Sequence, residues 1–168
     1  PADNYGMQPT IDHLKQSYQK ARELGILDHA YIYGCDEINP DNFPRVNKAA
    51  AILKRELPGI PVFTTSYDDT YGMDGKLGSI DWFCPHNYKY RPEQAAAARK
   101  AGKQVWWYIC AGPEVYPNNY IESSGIEPRL MMGAMTAKYR PDGFLYYELA
   151  FWNSLEPITS GPFVSFKA

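Results

Sequence analysis

Two adjacent carboxylates, Asp36 and Glu37, are the residues of this chain whose type and spacing best suit acid–base chemistry. They end the short aromatic and aliphatic run in HAYIYGCDEINP, residues 29–40, where Pro40 marks a loop. Neighbouring carboxyl groups at an apolar strand end disfavour each other's ionisation, and this favours the protonated form that a general acid needs. Two plainer interpretations compete with catalysis: both acids are solvated loop residues, or Asp36 caps the next helix.

Polar and aromatic side chains follow the other predicted strands in the same way. These groups are Tyr67 and Asp68; His86, Asn87 and Tyr88; Glu114, Tyr116 and Asn119; and Glu148, Trp152 and Asn153. The carboxyl ends of parallel barrel strands share one rim, so we expect these groups to face one pocket. Asp68 and Asp69 form a second acid pair before the loop TYGMDGK, and there we expect turn chemistry rather than catalysis.

The elements that must position these residues alternate between helix and strand. Helical spacing of apolar residues, with matching start and stop signals, predicts helices at 9–24, 43–57, 91–102 and 126–139. Short apolar runs predict strands at 30–34, 61–65, 80–84, 104–110 and 143–147, and residues 69–79 are predicted to form a loop. Because the strands are apolar throughout rather than alternating, we expect both of their faces to be buried.

This alternation predicts an α/β fold in which helices cover a parallel sheet. No glycine-rich phosphate loop follows any strand, which disfavours a nucleotide-binding doubly wound fold. The polar strand exits favour the later part of a TIM-type (β/α)8 barrel, with residues 1–168 forming a single partial domain. Five strands cannot close such a barrel, which takes about 250 residues. We therefore expect either a missing N-terminal half, which we favour, or pairing with a second copy in a homo-oligomer.

Composition limits the partners of this domain. The formal net charge of −2 and the 21% of charged residues give no basis for binding nucleic acid or an acidic membrane surface. No stretch approaches the roughly 20 apolar residues of a membrane span. The aromatic content of 15% suits packed cores and sugar-binding clefts alike. Cys35, Cys84 and Cys110 lie at predicted strand ends without CxxC spacing, and we interpret them as buried thiols rather than as a soft-metal site.

Four strand-exit motifs together resemble glycoside hydrolase family 123: YGCDEIN, PHNY, VWWYICAGP and GFLYYELAFWN. Members of that family are β-N-acetylgalactosaminidases with a C-terminal catalytic (β/α)8 domain. The resemblance covers about residues 31–153, with the strand that begins at Ala30 as the fourth of eight. Its most specific element is the Asp-Glu pair, which the related hexosaminidases of family 20 share. It implies a glycan or glycolipid substrate, no metal or organic cofactor, and a secreted, periplasmic or cell-surface location in a bacterium.

The resemblance also implies a reaction: release of terminal β-linked N-acetylgalactosamine by a retaining, substrate-assisted mechanism. The acetamido oxygen of the substrate attacks the anomeric carbon, so that no enzymic nucleophile is needed. The resemblance implies that Glu37 is the general acid and later the base, while Asp36 holds the acetamide N–H and stabilises the developing positive charge. Consecutive strand residues point to opposite faces, so both acids can share a pocket only if the chain turns at residues 35–38.

The remaining candidates would bind substrate. A tyrosine hydroxyl is needed to hold the acetamido oxygen, and three compete for this position: Tyr67, Tyr88 and Tyr108. Trp107 and Trp152 are candidates to enclose the acetamido methyl group or to stack on the sugar, although one of Trp106 and Trp107 must face the core. Polar residues at the strand ends complete the set, with loop hydrogen bonding as their alternative role: His86, Asn87 and Asn153.

A second interpretation belongs to a different functional class. The chain would then be a non-catalytic carbohydrate-binding module, or an incomplete barrel fragment that needs missing strands or a second copy. The sequence supplies the chemical groups of a glycosidase, whereas the completeness of their pocket depends on the fold.

Overall fold

The computed structural model of the chain describes residues 7–110, 117 and 125–146. Its α-helices are α1 (Met7–Glu23), α2 (Phe43–Glu56), α3 (Pro92–Lys100), α4 (Glu127–Arg129) and α5 (Thr136–Tyr139), with a π-helical segment, Leu130–Met135, between the last two. Its strands are β1 (Ile32–Cys35), β2 (Val62–Thr64), β3 (Trp82–Phe83), β4 (Gln104–Val105), β5 (Trp107–Ile109) and β6 (Phe144–Tyr146). Within the described residues, no helix combines the length and the apolar character needed to cross a bilayer.

The strands are parallel and lie in the order in which the chain forms them. One sheet has the order β1-β2-β3-β4, and β5 pairs with β6. Only Trp106 separates β4 from β5, so the single strand predicted at 104–110 is a stretch that pairs first with β3 and then with β6. A doubly wound sheet reverses its order at a switch point, whereas a barrel adds strands in sequence. The fold is a mixed α/β fold with parallel strands, consistent with part of an α/β barrel.

Helices cover one face of these strands, which we call the outer face. Apolar residues recur every three or four positions along α2, and its side chains Phe43, Val46 and Ala50 are buried. They join a core that also contains Val62, Phe83, Ala95, Ala98, Val105, Trp107 and Ile109. Removing this apolar surface from water is the main term that holds the helices to the sheet.

The opposite face, which we call the inner face, is built mostly from aromatic residues. Phe63 and Tyr108 are buried there, and Trp82 stacks on Trp106 with ring centroids 5.6 Å apart. A side chain at Gly143 would meet the Trp106 ring at 2.3 Å, so only glycine permits this arrangement. At the β1 edge, Tyr31 and Tyr33 remain 43% and 46% exposed. The prediction that both faces of every strand are buried is therefore wrong for β1.

A β-bulge at Gly34 changes the direction in which the end of β1 points. Tyr33 is paired with Phe63, but the next registered pair is Cys35 with Thr64. Tyr33 consequently lies on the inner face, whereas Cys35 packs against the outer core. Bulges commonly redirect side chains beside active sites. Here the bulge sets the direction in which the chain enters the acid pair.

The segment 69–79 contains turns but neither helix nor strand, as the sequence predicts. Asp68 organises its start: one carboxylate oxygen accepts hydrogen bonds from the backbone N–H and hydroxyl of Thr70, and the other accepts the Gly72 N–H. Gly72 has a φ of +74°, and a Cβ there would lie 2.7 Å from the carbonyl oxygen of Leu77. The turn role expected of Asp68 is confirmed.

Candidate active site

Asp36 and Glu37 lie at the carboxyl end of β1, on the turn that the bulge begins. Glu37 has a φ of 44°, in the left-handed region that few residues other than glycine adopt. Its backbone N–H donates to the hydroxyl of Thr65 at 2.9 Å, which ties this turn to the end of β2. Strained backbone of this kind concentrates at functional sites. The turn required at residues 35–38 is present.

The carboxylate of Asp36 is held by one side chain of β1 and by the residue that directly follows β2. The Tyr33 hydroxyl donates to its Oδ1 at 2.7 Å, and the Thr65 hydroxyl donates to the same atom at 2.6 Å. The residue before α2 is Asn42, and no side-chain hydrogen bond caps that helix. Asp36 is therefore an oriented carboxylate at the strand ends rather than a helix cap.

The carboxylate of Glu37 accepts hydrogen bonds from the hydroxyls of two tyrosines that were predicted to lie on the same rim. The Tyr108 hydroxyl donates to Oε1 at 2.6 Å, across 71 residues of sequence. Burial, followed by a hydrogen bond to Glu37, raises the pKa of Tyr67 to about 12. Burial and the hydrogen bond to Glu37 likewise raise the pKa of Tyr108. Both phenols therefore keep their protons at neutral pH and act as hydrogen-bond donors.

His86 lies behind this pair and completes a chain of hydrogen bonds. Its Nε2 is 2.8 Å from the Tyr108 hydroxyl and 3.5 Å from Oε1 of Glu37, and its ring stacks on Tyr108 at 4.2 Å. Burial lowers the pKa of His86, against the raising influence of Glu37, so the imidazole is neutral at neutral pH. In the tautomer that carries the Nε2 proton, His86 donates to Tyr108 and Tyr108 donates to Glu37.

A thiol adjoins the same group. The Cys110 Sγ lies 3.7 Å from each ring nitrogen of His86. Glu37, His86 and Cys110 each offer one possible metal ligand, and these atoms all lie within 4.8 Å of one another. Among the residues that the structure describes, this group has the composition and spacing to hold a metal ion.

Tyr88 and Asn87 follow His86 but differ in their surroundings. Tyr88 is 40% exposed, and its ring lies 5.2 Å from that of His86. Asn87 is buried, and its amide donates to the carbonyl of Pro117 at 2.7 Å and accepts the Tyr88 N–H at 2.8 Å. The loop hydrogen bonding named as its alternative role accounts for these contacts of Asn87.

These acids, hydroxyls and aromatic rings at the carboxyl ends of parallel strands agree with a comparison of the whole chain. The family sequence model for the glycoside hydrolase 123 catalytic domain matches residues 7–168 of the chain. The chain belongs to glycoside hydrolase family 123. It is therefore a glycoside hydrolase with a carbohydrate substrate, and the family resemblance read from its motifs is confirmed. A search of curated proteins found no match.

One predicted substrate contact of the hydrolase is wrong. Trp107 is fully buried on the outer face, where it packs against Tyr90 and Tyr139. Strand alternation places its neighbour Trp106 on the inner face instead. The structure thus removes Trp107 from the group around Glu37. Several other predicted positions lie outside the described residues: Glu114, Tyr116, Asn119, Glu148, Trp152 and Asn153.

Two residues of the site were missed from the sequence, Tyr33 and Thr65. Thr65 directly follows β2 and precedes Tyr67 by two residues, but it lies inside the strand predicted at 61–65, so the strand-exit rule passed over it. Tyr33 lies three residues before Asp36, and nothing in the local pattern reveals the bulge that keeps it on the inner face. Their hydroxyls nonetheless fix the carboxylate of Asp36.

Proposed function

We propose that this glycoside hydrolase releases terminal β-linked N-acetylgalactosamine by a retaining, substrate-assisted mechanism. The observation that carries the proposal is the pair of carboxylates at one strand end, with Asp36 held by the hydroxyls of Tyr33 and Thr65 and Glu37 held by that of Tyr108. Family membership supports a carbohydrate substrate, and the acid pair supports this particular chemistry. Such enzymes dispense with the nucleophilic carboxylate of other retaining glycosidases.

Asp36 has the role of orienting the nucleophile that the substrate provides. Its carboxylate accepts the acetamide N–H, which aims the acetamido oxygen at the anomeric carbon. As that oxygen attacks, positive charge develops on the resulting oxazolinium ring, and a fixed negative charge beside it stabilises the transition state. The hydroxyls of Tyr33 and Thr65 hold the Asp36 carboxylate before substrate arrives, which avoids reorganisation during the reaction.

Glu37 has the role of moving the proton in both steps. In the first step, its carboxyl proton passes to the glycosidic oxygen as the bond from that oxygen to the anomeric carbon breaks. In the second step, a water molecule attacks the anomeric carbon and gives its proton to the Glu37 carboxylate, while the oxazolinium opens to the acetamide. Both displacements invert the anomeric carbon, so the product retains its configuration. The Tyr108 hydroxyl holds Oε1 throughout.

Of the tyrosines, Tyr67 is the best candidate to hold the acetamido oxygen. Tyr108 is buried and bridges Glu37 and His86, whereas Tyr67 is 41% exposed and bonds to Glu37 from the open side. A phenol that keeps its proton is a suitable donor to a carbonyl oxygen that becomes more basic as it turns towards the anomeric carbon. Tyr88, His86, Asn153 and Trp152 remain candidates for the rest of the sugar pocket.

The test of this function is hydrolysis of a nitrophenyl β-N-acetylgalactosaminide. We expect Glu37→Gln to lower kcat by about 10²–10⁴-fold with little change in sugar binding, since it removes the proton donor and keeps the shape. Glu23→Gln, on exposed α1, is the matched control. Unchanged turnover in Glu37→Gln would end the assignment. Replacing the acetamido group by trifluoroacetamido should slow the enzyme strongly, because fluorine weakens the attacking oxygen; equal rates would exclude substrate assistance.

A second candidate function rests on a proposal about the architecture. We propose that these strands are the later strands of a (β/α)8 barrel, in keeping with their sequential order and with the partly exposed aromatic face beside Tyr31 and Tyr33. Without the other strands, that aromatic face favours a carbohydrate-binding role, since rings stack on the apolar faces of sugars. Sugar binding without turnover in the 168-residue chain, and turnover in a longer protein, would support this candidate. A compact, active monomer of 168 residues would contradict it.

A further inference from the structure

The cluster of Glu37, His86 and Cys110 has a geometry that the glycosidase reaction does not require. Nε2 of His86 is 3.5 Å from Oε1 of Glu37, and Sγ of Cys110 is 3.7 Å from the ring nitrogens. The three groups come from three different strand ends, β1, β3 and β5. A general acid needs no thiol, so Cys110 has no role in the proposed chemistry.

These separations match those of ligands around a tetrahedral zinc ion. Zinc lies at about 2.0–2.1 Å from histidine nitrogen, about 2.3 Å from thiolate sulfur and about 2.0–2.2 Å from carboxylate oxygen. At tetrahedral angles these bond lengths separate nitrogen from oxygen by about 3.3 Å and nitrogen from sulfur by about 3.6 Å. These two observed pairs differ from the tetrahedral values by about 0.1–0.2 Å, and all three ligand atoms lie within 4.8 Å of one another, so the three side chains can close on one ion.

The surroundings also suit an ion. The Tyr108 ring stacks on His86 with centroids 4.2 Å apart and so restrains the orientation of the imidazole, while a metal bond to Nε2 would replace the hydrogen bond between that nitrogen and Tyr108. The Glu37 side chain is 40% exposed, so water can reach a fourth coordination position. One nitrogen, one sulfur and one oxygen ligand form a set that favours zinc and other thiophilic ions over magnesium or calcium.

We infer that Glu37, His86 and Cys110 bind one thiophilic divalent cation, with Zn²⁺ as the reference ion, and that the bound ion inhibits the hydrolase. Binding itself depends only on the geometry above. Inhibition rests on the proposed function, because an ion that coordinates the Glu37 carboxylate occupies the group that must carry the proton to the leaving oxygen. The site is thus an inhibitory metal site of the enzyme rather than a cofactor site.

The binding half is tested by titrating the whole 168-residue chain with Co²⁺ in a thiol-free reductant, followed by displacement with Zn²⁺. We expect one equivalent of Co²⁺ to produce a thiolate-to-metal absorption band, and Zn²⁺ to abolish it. Cys110→Ser should lose the band and weaken Zn²⁺ binding by more than about 100-fold, since it removes a direct ligand. Cys35→Ser is the matched control, because that thiol packs against the outer core.

The result that would overturn the inference is equally direct. A missing band in the parent chain, or equal Zn²⁺ affinity in the parent and the Cys110→Ser chain, would exclude this site. Glu37→Gln serves as the second variant: it should weaken Zn²⁺ binding while the Co²⁺–thiolate band persists. Circular dichroism of each variant confirms that it is folded.

The inhibition half uses the ratio of hydrolysis rates with and without Zn²⁺ in each variant. We expect Zn²⁺ to inhibit the parent and the Cys35→Ser chains, a chelator to restore the rate, and Cys110→Ser to resist inhibition at the same free Zn²⁺. Zn²⁺ binding without inhibition would overturn this half alone. If Glu37→Gln left hydrolysis unchanged, the proposed function would fail, while the Co²⁺ spectrum would still decide whether the metal binds.

Discussion

Two acid pairs follow successive strands of this hydrolase, and they differ in where their partners come from. After β1, Asp36 accepts a hydrogen bond from the Thr65 hydroxyl, 29 residues away in the sequence, and Glu37 accepts one from the Tyr108 hydroxyl, 71 residues away. Asp68, after β2, receives its hydrogen bonds from Thr70 and Gly72, two and four residues away. Distant partners fix a carboxylate relative to the rest of the sheet, whereas local partners fix the turn itself. The first acid pair therefore suits a functional role, whereas Asp68 in the second pair stabilises its own turn.

The sharpest test of this comparison neutralises one acid from each pair. We expect Asp36→Asn to lower kcat/KM for the nitrophenyl substrate by about 10²–10³-fold, because it removes a charge aimed at the developing oxazolinium. Asp69→Asn should leave activity unchanged, since the Asp69 side chain is 63% exposed and forms an ion pair with Arg91 at 3.6 Å. Steady-state kinetics on both variants checks this. Equal losses in the two would mean that the pairs do not differ in function.

A smaller effect is expected from the residue that orients Asp36. Thr65→Val removes a donor to Asp36 and the acceptor for the Glu37 N–H, and misplacement of the acids should lower kcat by about 10- to 100-fold. The matched variant is Thr64→Val, which loses only a hydrogen bond to the Cys35 carbonyl on the outer face. Kinetics together with thermal unfolding separates the two, because Thr64→Val should reduce stability rather than kcat. A large loss of kcat in Thr64→Val would contradict this division of roles.

The second acid pair should respond in stability alone. Asp68→Ala leaves the N–H groups of Thr70 and Gly72 without their acceptor, which should lower the free energy of unfolding by about 1–3 kcal/mol. The folded fraction should keep its kcat, since this carboxylate faces its own turn. Denaturant unfolding and active-site-normalised kinetics measure the two quantities. A loss of kcat at full folding would give Asp68 a place in the site.

The smallest effect concerns pH. Burial lowers the pKa of His86 in the folded state, so folding keeps the imidazole neutral while the unfolded chain takes up a proton. This contribution to stability is complete above the unfolded pKa of about 6.5 and is lost as pH falls towards the folded pKa. His86→Asn should therefore lose less Tm than the parent between about pH 7 and about pH 5. His13→Asn, on exposed α1, is the matched control, since it also replaces one histidine by asparagine.

Much of the fold was predictable because it depends on short-range patterns. Each predicted strand overlaps an observed one, although β1 ends one residue beyond the predicted 30–34, and the two-residue strands β3 and β4 lie within predicted runs of five and seven residues. Helix α2 begins at the predicted Phe43 and ends one residue early. The helix predicted at 126–139 contains a π-helical segment that apolar spacing does not reveal. The spacing of apolar residues reflects which positions of a helix or strand are buried, and for this reason it predicts such elements well.

The site was predictable where residue type alone restricts the role. Asp36, Glu37, Tyr67, His86 and Tyr108 are polar or amphipathic groups at strand ends, and the structure brings them together. The prediction that Trp107 contacts substrate was wrong because Trp106 and Trp107 are adjacent and of the same type, so the sequence does not show which of them occupies the inner face. A one-residue change in register exchanges those faces, and the pairing of β5 with β6 decides it.

The sequence by itself determined the family, the parallel α/β alternation and the acid pair, because each depends on residue identity and spacing along the chain. Tertiary structure alone decided how the pair is used. The bulge at Gly34 and the left-handed φ of Glu37 turn both acids towards hydroxyls from other strands. It also placed the Cys110 thiol beside His86. These contacts join strand ends across 24 to 71 residues of sequence, a range over which local composition carries no record of register.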